Sequence, residues 1–357
     1  MSDILRRPSF LSSRMALACC VLAAGCVLLA ARAAEAESST ADLIEHTQPK
    51  IVKIYGVGGL AGMEAYQSGL LISPHGHILT VFSYVLDTEY ISVTLNDGQK
   101  FDAKLLGADP RLEIAVLKID AAELPYFELA EAGEVGAGTR VLAFSNCYGV
   151  ATGNEPVSVQ HGVVSVKADL AAKRGIFDTP YHGPVYVIDA ITNNRGSAGG
   201  ALVTRDGKCV ALLGKELRNS ANNTWLNYAI PAAELRGSVD AILQGKFVAQ
   251  VEGRQENKPA QSLKLAAAGV LLVPDILQRT PPYVDQIRPG SPADRAGIAP
   301  DDLIVLLDGR LIQSCKILAA ELEYVDFEDP IRLTVLRDGQ LLEFVLRDDS
   351  GDDGELP

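Results

Sequence analysis

A mainly β protein is predicted by three observations. Short runs rich in Val, Ile, Leu, Thr and Tyr follow one another from Ile51 to Ile230, turn signals break them at short intervals, and the hairpin signals Asn96-Asp97-Gly98 and Arg205-Asp206-Gly207 join alternating runs. Such spacing favours a barrel or a sandwich over a helical fold. At 357 residues, with 48% hydrophobic and 22% charged side chains, the chain has room for two or three domains with sizeable cores.

The N-terminus has three arginines, then an apolar run from Met15 to Ala31 and the small-residue stretch Ala31-Arg32-Ala33-Ala34-Glu35-Ala36. This is the layout of a secretory signal over residues 1–36, with an uncleaved membrane anchor as the alternative. Export is expected, to the periplasm or cell envelope. Without residues 1–36 the chain keeps 28 basic against 43 acidic side chains, a net charge of −15. That balance argues against nucleic acid and anionic lipid as partners. Three cysteines then remain, Cys147, Cys209 and Cys315. An odd number leaves at least one thiol unpaired; Cys147 and Cys209 are a possible pair, with Cys209 more readily a buried small hydrophobe. No metal-ligand spacing and no phosphate-binding glycine loop occurs, so no metal or cofactor is expected.

Along the chain, residues 40–50 read as a short helical lead-in. The β-rich region closes at Asn227-Tyr228-Ala229-Ile230-Pro231, followed by helical spacing from Ala232 to Gln244. Residues 246–262 are polar and aperiodic, as a linker is. Beyond it, Ser291 is placed to cap a short helix with Pro292 in its first turn and Gly297 ending it in a left-handed conformation. Leu306-Leu307-Asp308-Gly309-Arg310 makes a turn, Ser314 caps a helix carrying Leu318, Leu322 and Val325, and Ile331 to Leu346 form a hairpin through Asp338-Gly339. The tail, residues 348–357, is acidic and expected to be disordered.

The stretch from Tyr66 to Asp120, YQSGLLISPHGHILTVFSYVLDTEYISVTLNDGQKFDAKLLGADPRLEIAVLKID, closely resembles the N-terminal barrel of the HtrA/Deg family of trypsin-like serine proteases. Pro289-Gly290-Ser291-Pro292-Ala293-Asp294-Arg295-Ala296-Gly297-Ile298 with Asp301-Asp302-Leu303-Ile304 resembles the centre of a PDZ domain. The resemblance implies a trypsin-like double six-stranded antiparallel β-barrel over residues 40–245 and an α+β PDZ domain over 263–347. It also implies a homo-oligomer, commonly a trimer.

The positions that carry chemistry in that family depart from its pattern. Where the family has Asn-Asn-His-Val-Val, this chain has Val81-Phe82-Ser83-Tyr84-Val85, so Ser83 replaces the general base. The family's Asp-Leu-Ala-Val-Leu-Lys appears as Glu113-Ile114-Ala115-Val116-Leu117-Lys118, which puts Glu113 in place of the orienting aspartate. The nucleophile motif Gly-x-Ser-Gly-Gly-Pro-Leu-Val, laid without a gap on Gly199-Gly200-Ala201-Leu202-Val203, puts Ala198 in the serine's place. A second register, anchored on Asp189-Ala190, puts Ser197 there, with Gly196 supplying an oxyanion amide. Serine neither accepts a proton near neutral pH nor hands one to a leaving amine, and losing triad members leaves at most roughly 10³ to 10⁴-fold over water. The histidines His46, His75, His77, His161 and His182 read as surface or loop residues.

An exported pseudoprotease is therefore expected, one that binds unfolded or C-terminal peptide segments or scaffolds active HtrA/Deg relatives in protein quality control. The alternative is a weak or atypical serine endopeptidase using Ser197. PDZ domains hold peptide carboxylates on the amides of a Gly-containing loop; the matching residues are Ala268, Gly269, Val270 and Leu271, without the bulky residue that the family places before the glycine.

Overall fold

The computed structural model describes residues 39–56, 65–86, 88, 90–129, 132–174, 177–246, 258–275 and 280–346. The signal or anchor and the acidic tail expected from the sequence lie outside the described residues, as does most of the linker.

An α-helix, α1 (Thr40–Thr47), and a 3-10 turn at Gln48–Lys50 lead into the first barrel. Its strands are β1 (Ile51–Gly56), β2 (Ala65–Leu71), β3 (His77–Val81), β4 (Ile91–Thr94), β5 (Lys100–Asp109) and β6 (Ile114–Ile119). They close antiparallel in the order β1-β2-β3-β6-β5-β4. Period-two alternation turns Val52, Ile54, Leu71, Ile78, Val93, Leu117 and Ile119 into one buried cluster. The Asn96-Asp97-Gly98 turn sets the β4–β5 register, pairing Thr94 with Lys100; Gly98 takes φ 88° there.

The second barrel uses β7 (Arg140–Ser145), β8 (Ser158–Asp169), β11 (Pro184–Ile188), β12 (Ala201–Thr204), β13 (Cys209–Leu213) and β15 (Tyr228–Pro231), in the order β11-β15-β13-β12-β7-β8. A small sheet of β9 (Ala172–Arg174), β10 (Phe177–Asp178) and β14 (Arg218–Asn219) stands apart from it. Its strands are two or three residues long, too short to show a periodicity.

Helix α2 (Ala232–Leu243) leaves the second barrel and returns to the first. Ser238 Oγ donates to Asp109 Oδ2 at 2.6 Å, and Arg111 donates from Nε and Nη2 to the same carboxylate at 3.0 and 2.7 Å. Burial pushes the Asp109 carboxyl up, but the hydrogen bonds from Arg111 and Ser238 and the Arg111 charge outweigh it and hold the group below the usual carboxylate range.

The third module pairs β16 (Val270–Leu272) with β17 (Val284–Ile287) and arranges β18 (Leu303–Leu307), β19 (Arg310–Leu311), β20 (Ile331–Arg337) and β21 (Gln340–Leu346) as β19-β18-β20-β21. Ser291 accepts from Asp294 N to cap α3 (Pro292–Ala296), and Gly297 ends it at φ 90°. Ser314 accepts from Ile317 N to cap α4 (Cys315–Leu322). That helix stops at Leu322; Val325 packs against the same core from the turn beyond it. The molecule is mainly β, two closed six-stranded antiparallel barrels followed by a smaller α+β module.

Candidate functional site

Ser83 follows β3 and opens the 3-10 turn Tyr84–Leu86. Its hydroxyl donates to Gln67 Oε1 at 2.5 Å and accepts from Val85 N at 3.1 Å. Gln67 is itself fixed, donating to Thr80 Oγ1 and to the Val81 carbonyl. Ser83 is thus a turn residue whose hydroxyl is already engaged.

Glu113 sits between β5 and β6 at φ 51°, left-handed for a residue with a Cβ. Its carbonyl accepts from Phe82 N at 2.6 Å, which holds it against the residue preceding Ser83. Its carboxylate meets Lys215 Nζ at 2.6 Å. Lys215 follows β13 in the second barrel, so this ion pair joins the two barrels. The lysine side chain is 7% exposed and that of Glu113 24%. Inspection of the triad positions alone does not reach Lys215, 102 residues from its partner.

The loop Asn193–Gly200 lies against the first barrel. Asn194 caps a 3-10 turn, Arg195–Ser197, with its side chain accepting from Ser197 N. Ser197 is fully buried. Its Oγ donates to Asn194 Oδ1 at 3.1 Å and stands 3.4 Å from Ser145 Oγ of β7. Ala198, also buried, offers its carbonyl to Ser68 N at 2.9 Å. Gly199 then turns at φ 82°, and a Cβ there would lie 2.2 Å from the Ser68 carbonyl. Gly196 is equally confined, since a Cβ would lie 2.0 Å from the Asn146 carbonyl; its own carbonyl accepts from Ser68 Oγ at 2.7 Å. The glycines at 196 and 199 are therefore required by close backbone approach.

Asn194 also donates from Nδ2 to Cys147 Sγ at 2.9 Å, and Gln160 Nε2 donates to the same sulfur at 3.1 Å. Cys147, Cys209 and Cys315 are all buried and free, so the Cys147–Cys209 pair considered from the sequence is not formed. Burial pushes the Cys209 thiol up to about 12 and the Cys315 thiol up to about 11.

The histidines lie elsewhere. His77 opens β3 and Ser83 lies beyond its far end, so the length of the strand separates them. His77 bonds to Ser73 Oγ at 2.7 Å, and burial, with Lys118 and His75 adding, lowers its pKa. His161 is an exposed residue of β8 and His182 an exposed loop residue. Among the described residues no group of three or more His, Cys, Asp or Glu is placed to hold a metal ion, and no helix is long and apolar enough to cross a membrane.

In the third module, Gly269 takes φ 88° and packs so closely that a Cβ would lie 2.1 Å from Ser291 Oγ. Residues 264–270 fold into consecutive turns: Ala267 N donates to Lys264 O, Gly269 N to Ala266 O at 3.3 Å, and Val270 N to Leu265 O at 2.9 Å. The Gly269 and Val270 amides, which the sequence suggests for a carboxylate, therefore have partners within the loop.

A profile described as "Trypsin-like peptidase domain" matches residues 67–212, and one described as "PDZ domain" matches residues 255–347. "Periplasmic serine endoprotease DegP" of Escherichia coli (strain K12) is 29% identical over 297 residues, 80% of this chain and 58% of that protein. These matches support the HtrA/DegP family. "Probable periplasmic serine endoprotease DegP-like" of Chlamydia pneumoniae is 27% identical over 281 residues, 77% of this HtrA/DegP-like chain and 53% of its relative. The chain thus spans about half the length of the curated DegP relatives it matches. Among solved structures, "HtrA-type protease AlgW with decapeptide" is similar at 21% identity and a TM-score of 0.48, covering 87% of this chain and 98% of that one.

Proposed function

We propose that this HtrA/DegP-like chain is an exported pseudoprotease that acts by holding or scaffolding rather than by cutting. The observation that carries the reading is the Glu113–Lys215 pair at 2.6 Å. In a working triad the carboxylate orients an imidazole, and that imidazole relays the proton. Here the carboxylate neutralises a buried ammonium instead, and Ser83, in the base's place, spends its hydroxyl on Gln67.

Ser197 fares no better as a nucleophile. Its hydroxyl is fully buried and directed at Asn194 and Ser145, which supports Ala198 as the residue in the nucleophile's place. The internally bonded loop at Gly269–Val270 favours the PDZ domain as a packing or assembly element over capture of a peptide C-terminus. Unfolded polypeptide segments and active HtrA/DegP relatives remain the partner classes, with a homotrimer as the assembly and the periplasm or cell envelope as the location.

Fluorophosphonate labelling of residues 37–357, read by intact mass and peptide mapping beside a Ser197→Ala control, tests the reading. The expected result is a folded, unlabelled protein. Labelling that maps to Ser197 and vanishes in the control would sink it.

A further inference from the structure

The turn Gly196-Ser197-Ala198 carries three successive backbone amides with different fates. Ser197 N donates within the loop, to the Asn194 carbonyl at 3.2 Å and to Asn194 Oδ1 at 3.0 Å. The amides on either side of it, Gly196 N and Ala198 N, have no acceptor among the described residues. Both residues are buried, Ala198 keeping 6% of its surface. A shielded backbone N–H without a partner is rare, because it gives up a hydrogen bond that it had in water. The carbonyls of the turn are already engaged: that of Gly196 accepts from Ser68 Oγ at 2.7 Å and that of Ala198 from Ser68 N at 2.9 Å. Ser68 of the first barrel thus anchors the turn at both ends. Close backbone approach at Gly196 and Gly199 leaves the turn little room to rotate and find its amides a protein acceptor.

Unpartnered amides on a fixed turn suit an anion, whose charge strengthens each hydrogen bond. A serine at 198 would bring a hydroxyl to attack whatever is bound there; the Ala198 methyl brings none, so binding leads to no chemistry. Arg195, next to Gly196 in the chain, has a side chain 48% exposed and only a loose 3.8 Å contact with Glu216, which leaves positive potential at the turn. The small exposed area of Ala198 admits a terminal group rather than a passing chain. We propose that Gly196 N and Ala198 N form a carboxylate receptor. It rests on the pseudoprotease reading and deepens it by naming the chemical class that the altered site takes. A small free carboxylate and the C-terminal carboxylate of a polypeptide share that chemistry.

The test follows the Gly196 and Ala198 amide signals by NMR in the full chain labelled with nitrogen-15 glycine and alanine. Sodium acetate is titrated against sodium chloride at equal ionic strength, and then acetyl-Ala-Ala-Leu-Val as the free acid against its C-terminal amide. Saturable shifts of both amides are expected in acetate, with a midpoint on the order of millimolar, and with the acid peptide, but not in chloride or with the amide peptide. An acid-peptide midpoint at least about tenfold below that of acetate assigns the receptor to polypeptide C-termini, and equal midpoints assign it to small carboxylates. Ala198→Asp sets a carboxylate of its own beside the amides and should raise the acetate midpoint at least about tenfold. Unshifted amides, equal shifts in chloride, or equal shifts by the acid and amide peptides would overturn the receptor, and none of these outcomes depends on the variant's folding. Fluorophosphonate labelling of Ser197 would overturn the inactive reading and leave the shifts standing; silent amides in an unlabelled protein would overturn the receptor alone.

Discussion

Two serines near the candidate site lead different lives because of their neighbours. Ser83 caps a tight turn and Ser197 is drawn inward by Asn194, whose other amide end rests on Cys147. A triad restored only at its first and last members should stay inert: Ser83→His with Ala198→Ser leaves Glu113 engaged by Lys215, so the new imidazole has no orienting partner. Less than about 10⁴-fold over water is expected in a peptide-hydrolysis assay, and a protease-like turnover would contradict it. The buried thiols offer a second check. With Cys209 pushed up to about 12 and Cys315 to about 11, both are protonated at pH 8 and shielded. A thiol reagent mapped by peptide mass should leave them unmodified in the native protein and modify both in denaturant. Ser83 stands out in the sequence because it falls inside a long, ungapped resemblance. The role of Lys215 was not legible there, because its meaning depends on a partner 102 residues away that only barrel closure brings to it.

Among the elements, the caps and turns were read most directly. Ser291, Gly297 and Ser314 act locally, so their residue types report their φ and hydrogen bonds without help from the rest of the fold. Strand pairing, by contrast, is a non-local fact; periodicity placed the runs of each barrel but not their order, nor the two- and three-residue strands β9, β10 and β14. Replacing Ser314 by Ala removes the acceptor for Ile317 N and should cost about 1 kcal/mol, measurable as a lowered urea midpoint with unchanged slope. Gly199→Ala should be much worse. It combines a left-handed φ with a methyl pressed against the Ser68 carbonyl, so the loop must move, and a loss of at least about 2 kcal/mol is expected in the same titration.

At the scale of the whole molecule, Asp109 is a buried group that connects stability to pH. Its carboxyl is held below the usual range in the folded state, so its contribution is complete above the ordinary aspartate value near 4. It is lost as pH falls from about 4 through the lower folded value. Asp109→Ala removes the acceptor that Arg111 and Ser238 share, at a cost of about 1–2 kcal/mol near neutrality. The variant should show a flatter dependence of unfolding free energy on pH below about 4 than the unmodified chain; equal slopes would show that Asp109 is not the titrating group. The fold class was legible in the sequence because both halves keep the alternation of buried strands, whereas the bond that returns α2 to the first barrel joins residues 129 apart and leaves no local trace.

That returning bond has company. Lys53 of β1, fully buried, donates to the carbonyls of Gly153 and Glu155 beyond β7, while Ser68 of β2 grips the Gly196 carbonyl. The first barrel is thereby fastened to the second through β1, β2 and the end of β5, in addition to the Glu113–Lys215 pair. These links predict that the two barrels melt together. Heating the protein should give one calorimetric transition for the pair, and a fragment ending at residue 130 should behave as a partly collapsed chain rather than as a small β-barrel.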